Sequence, residues 1–115
     1  MNFMSQIDAK FSGSKIVRTV PFEEGFHFTT EKGADTGMTA TSLSDFADKL
    51  ETIDVNSVMF HYSRGDFQKW MHDTLGDKAL SNQLCFVEPD SSGEKVRKQL
   101  LRMVRKRLAE LQKQQ

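Results

Sequence analysis

A chain of 115 residues, 37% hydrophobic and 28% charged, is long enough for one modest core and too apolar to stay disordered. No run approaches the ~18–20 apolar residues of a membrane span, and residues 1–14 lack the basic-then-apolar order of a secretory signal. The net charge of zero hides an asymmetry, because residues 94–115 carry eight Lys and Arg against two Glu and the remainder balances this with an acidic excess. A basic segment on an acidic body can bind a polyanion or fold back on that body.

In chain order, residues 1–14 lack periodicity and end in Ser12-Gly13-Ser14, which reads as a flexible N-terminus. Lys15-Ile16-Val17-Arg18-Thr19-Val20 has the β-branched content of a short strand or extended arm closed by Pro21. Phe26-His27-Phe28-Thr29-Thr30 alternates with period two and reads as a strand. Gly33, Asp35 and Gly37 mark a turn-rich loop. Ser42 then offers a cap with Asp45 three residues on, and Leu43, Phe46, Ala47 and Leu50 form one helical stripe.

Val58, Phe60 and Tyr62 alternate with Met59 and His61, so residues 57–62 read as a second strand. Phe67, Trp70, Met71 and Leu75 predict a helix stopped by Gly76, and Asp77 caps another from Lys78 to about Val87. Pro89 to Gly93 is the one linker-like stretch. Residues 94–113 are helical by pattern, with Val96, Leu100, Met103, Val104, Leu108 and Leu111 as the apolar stripe. The order of elements predicts an α+β fold: a small mixed sheet packed with helices over residues 15–89, plus a C-terminal basic amphipathic helix. If the two strands are parallel, the helix between them is a right-handed crossover.

The stretch from Phe26 to Val87 resembles DUF5752, a family of prokaryotic, largely archaeal, domains of unknown function. Phe26-His27-Phe28, Thr36-Gly37, Ala40-Thr41-Ser42-Leu43 and Phe46 carry the resemblance, followed by Phe60-His61-x-x-Arg64-Gly65-Asp66-Phe67-x-x-Trp70 and Leu75-Gly76-Asp77-x-x-Leu80. It implies a domain found both alone and joined to other modules, and it brings no activity or catalytic residue with it.

Three readings of function compete. The first is a non-enzymatic binding domain whose helix at 94–113 mediates self-association, as a homodimer, or docks a partner protein. The second is a nucleic-acid-associated regulator contacting phosphates through Arg97, Arg102, Arg105 and Arg107. The third is a small anionic-ligand or enzyme site at His61, Arg64 and Asp66, where a helix start beside an arginine can hold an anion. The same three residues can equally be a packed histidine, an ion pair and a cap. The second of the paired helices carries Lys78, Ser81, Asn82 and Gln83, too little basic charge for major-groove reading.

Other chemistry finds little support. His27, His61, His72 and Cys85 have no chelating spacing, so no metal site is expected. Thr39, Thr41, Ser42 and Ser63 read as caps and loop donors rather than nucleophiles. Neither glycine-rich phosphate pattern is present, and no cofactor is expected. Arg64-Gly65-Asp66 leads into a helix carrying Phe67 and Trp70, so it is no mobile adhesion loop. The basic helix lacks the Trp or Phe anchors of a membrane-surface helix. The single cysteine, Cys85, allows no internal disulfide and fits a reducing, cytoplasmic setting.

Overall fold

The structure is a computed structural model that describes residues 15–88 and 92–113. The expected flexible N-terminus, residues 1–14, lies outside the described residues. A 3-10 turn, Phe22–Glu24, leads into β1 (Phe26–Thr29) and β2 (Asp35–Ala40). Helices α1 (Leu43–Thr52), α2 (Val55–Arg64) and α3 (Asp66–Trp70) follow, and α3 runs into a π-helical turn, Met71–Leu75. Two further helices, α4 (Lys78–Leu84) and α5 (Gly93–Lys113), complete the described chain. The α+β class holds.

The sheet differs from the one expected. β1 and β2 are neighbours in an antiparallel hairpin, with Phe26 opposite Ala40 and Phe28 opposite Met38. No parallel crossover exists between the described strands. The register slips between Phe28 and Thr29, which pairs with Asp35. Gly37, at φ 83°, supplies the left-handed backbone that this bulge needs, and its N–H donates to Asp35 Oδ1 at 2.8 Å. The turn-rich loop inferred from Gly33 and Gly37 is therefore mostly strand.

Residues 57–62 are helical, not a strand. Asp54 accepts from the Asn56 N–H at 2.7 Å and caps α2, and Gly65 closes it in the left-handed region. Ser57, Val58, His61 and Tyr62 are the buried positions, a helical stripe that cuts across the apparent alternation. Residues 15–17 are likewise helical rather than extended. Val20 nevertheless ties back to the hairpin, its N–H donating to Thr41 O at 2.8 Å.

One aromatic cluster fills the space beneath the hairpin. Phe26 and Phe28 from β1, Phe46 from α1 and Phe67 and Trp70 from α3 meet with ring centroids 4.9–6.3 Å apart. Helix α5 belongs to the same core. Its Val96, Leu100, Leu101, Val104 and Leu111 are buried with the residues of α1, α2 and α4. Its start lies tight on α2, where a Cβ on Gly93 would come within 2.3 Å of Val55 Cγ2. The stripe left open between self-association and docking is spent on the chain's own body.

Candidate functional site

His61 is only 4% exposed, and both of its ring nitrogens are hydrogen-bonded. The Thr29 N–H donates to its Nε2 at 2.9 Å, so Nδ1 carries the proton and donates to Asp66 Oδ2 at 2.9 Å. The imidazole thus pins β1 to the start of α3, packed edge-on against Phe26 at 4.8 Å. Both ring nitrogens are occupied by protein partners, so the imidazole holds neighbouring groups in place rather than offering a free nitrogen. Arg64 points elsewhere: its Nε reaches Asp66 Oδ2 at 3.4 Å, while the guanidinium covers the Phe60 ring at 4.8 Å. The three residues singled out from sequence meet only through Asp66, which pairs with buried His61 on one side and exposed Arg64 on the other.

Beside this cluster lies a cleft of about 300 Å³ between the start of β1 and the face of α3 and its π turn. Asp66, Lys69, Trp70, Asp73 and Thr74 line it at helical spacing, opposite Gly25, Phe26 and His27, with His61 at the edge. The Trp70 Nε1–H donates to Glu24 O at 2.9 Å and holds the indole as the cleft floor. Gly25 has no room for a side chain, since a Cβ would sit 2.8 Å from Ala40 O. Among the described residues Lys69 makes no ion pair, and Asp66 Oδ1 accepts no hydrogen bond. The sequence marks Asp66 directly, whereas Lys69 and Asp73 join it only through the 66-69-70-73 spacing and His27 only through the hairpin.

The basic face of α5 divides sharply. Arg97 donates to Leu50 O at 3.0 Å and Glu51 O at 2.8 Å, satisfying carbonyls at the end of α1. Arg107 grips Asp77 with two bonds, Nε to Oδ2 at 2.8 Å and Nη2 to Oδ1 at 3.1 Å. Those bonds raise the Arg107 guanidinium pKa further, against the effect of burial. Arg105 meets Glu51 at 2.9 Å on the surface. Of the four arginines offered for nucleic acid, Arg102 alone has no ion pair among the described residues.

Arg102 borders a second concavity, about 280 Å³, with Lys106 and Met103 of α5, Gln83 of α4 and Phe86 just beyond α4. Phe86 is 81% exposed, the most open large apolar side chain among the described residues. Cys85 beside it is exposed as well. No group of three or more metal-ligating side chains occurs among the described residues. No described helix is long and apolar enough to cross a membrane.

A two-stranded hairpin packed with helices, with a histidine locking strand to helix, defines a small α+β domain. The family model for DUF5752, a family of unknown function, matches residues 1–65, more than half of the chain, and the chain belongs to that family. The match takes in His27, His61 and Arg64 and ends before Asp66, Trp70 and α5. Neither the curated proteins nor the solved structures contain a match.

Proposed function

We propose that the chain is a non-enzymatic interaction domain that docks a partner protein on the outer side of α5. The observation that carries this reading is Phe86, exposed in a groove flanked by Arg102 and Lys106. Aromatic side chains and arginine are enriched in interfaces, and an exposed ring between cations suits an acidic segment bearing an apolar anchor. The inner side of α5 is occupied by the core, so a second copy would have no free stripe to pair with. The same helix serves nucleic acid poorly, because Arg97 and Arg107 are committed to the chain's own carbonyls and carboxylates. The cytoplasm, with its reduced cysteines, is the setting this reading assigns.

The test is a fluorescence-anisotropy titration of the full chain with a labelled glutamate-rich peptide carrying one leucine. Binding should weaken roughly tenfold or more in Phe86→Ser and in Arg102→Glu, and as salt rises, while Lys78→Glu leaves it unchanged. Absence of binding at millimolar peptide, or equal binding by all variants, overturns the proposal. So does concentration-dependent dimerisation abolished by Phe86→Ser, or salt-sensitive binding of RNA or DNA through Arg102.

A further inference from the structure

We propose that the cleft between β1 and α3 binds a small zwitterion of the free amino-acid type, with the ammonium at Asp66 and the carboxylate at Lys69. The site shares no residue with the α5 groove, and the two proposals stand or fall separately. Its volume, about 300 Å³, admits a molecule of amino-acid size. The floor is apolar: Phe26 and Trp70 meet edge to face at 5.8 Å and are both largely buried. The Glu24 carbonyl fixes the indole from behind, so the floor is formed before any ligand arrives.

The polar groups are arranged in alternating sign along one helix face. Asp66 and Lys69 are three residues apart, about 4.5 Å along the axis, so an anionic and a cationic side chain border the cleft within reach of one small ligand. Asp66 Oδ2 is held by His61 and Arg64, which leaves Oδ1 to accept from an ammonium. Lys69 has no carboxylate partner among the described residues and can take the ligand's own. Asp73, bonded to His72 Nδ1 at 2.8 Å, closes the far end with a negative charge. That charge disfavours a second carboxylate. An apolar side chain on the ligand would lie across Trp70 and Phe26. The π turn contributes by bringing Asp73 and Thr74 to the cleft wall, a common use of such turns at binding sites.

Trp70 is the sole tryptophan, so its intrinsic fluorescence reports on the cleft floor. Titration of the full chain with L-leucine should change the emission saturably. Two probes keep the stem and lose one charge, 3-methylbutylamine and 4-methylpentanoate, and each should bind about tenfold more weakly. Lys69→Met, an exposed position, should weaken leucine by about the same factor without changing the far-UV circular dichroism. Asp66→Asn keeps an acceptor for His61 and should do likewise. No saturable change with leucine, equal binding of the amine, or undiminished leucine binding by Lys69→Met overturns the proposal.

Discussion

Arg105 and Arg107 lie two residues apart on α5 and make opposite kinds of ion pair. The Arg105–Glu51 pair is about half exposed on both sides, whereas Asp77 beneath Arg107 is 1% exposed. An exposed pair contributes at most about 1 kcal/mol, while removing one partner of a buried pair costs about 3–5 kcal/mol. Asp77 also accepts from the Leu80 N–H at 3.1 Å, so its carboxylate holds α4 and α5 together. In urea unfolding, Arg107→Ala should lower stability by roughly 3–5 kcal/mol and Arg105→Ala by less than about 1 kcal/mol. Replacing Arg107 by lysine should recover only part of the loss, because an ammonium cannot form the two-pronged contact. Equal costs for the two alanine variants would show that Arg107 acts as a surface charge. Sequence found Asp77 as a cap but could not show its second bond, since the partner lies thirty residues away.

Elements were legible where their signals were local. Helix α1 was, because Ser42 accepts from the Asp45 N–H at 3.1 Å and the stripe Leu43, Phe46, Ala47 and Leu50 is unbroken. Asp45 returns the contact one residue further back than expected, accepting from the Thr41 N–H at 3.1 Å while pairing with Lys49. Helix α2 was not legible, because Val58, Phe60 and Tyr62 alternate as in a strand, and only Val58 and Tyr62 also lie on the buried helical stripe. Its side is decided by His61 meeting Thr29 and by Tyr62 donating to Leu84 O and Val87 O, all distant in sequence. The cap of α1 carries a pH signature. Burial raises the Asp45 pKa, but Lys49 and the Thr41 N–H outweigh it and leave the carboxyl below its ordinary value. A depressed carboxyl stabilises the fold above its unfolded pKa, and that contribution is lost as pH falls through the folded value. Asp45→Asn should therefore be less stable than the parent at pH 6, and the difference should shrink below about pH 4. Denaturant midpoints of both proteins at pH 3, 4, 5 and 6 check this, and a gap independent of pH would refute it.

At the scale of the whole molecule, three arginines of the last helix are turned toward the rest of the chain. Arg97 on the α1 carbonyls, Arg105 on Glu51 and Arg107 on Asp77 are the places where the basic helix meets the acidic body. Between them the buried stripe Val96, Leu100, Leu101, Val104 and Leu111 lies in the common core. Sequence showed the charges and the stripe but not their partners, so α5 read equally well as an appendage. Each fully buried aliphatic side chain contributes about 1.5–3 kcal/mol, so five together are worth on the order of 10 kcal/mol. The net stability of a domain of this size is about 5–15 kcal/mol. A chain ending at residue 92 should therefore lose its cooperative thermal transition and its dispersed amide spectrum. A synthetic 93–113 peptide added in excess should restore both, because it returns the buried stripe that completes the core. A truncated chain that still melts cooperatively would mean that hairpin, α1 and α3 suffice as a core. Because α5 is structural, its surface roles are separable only by point variants on the outer side, Phe86, Arg102 and Lys106, and not by deletion.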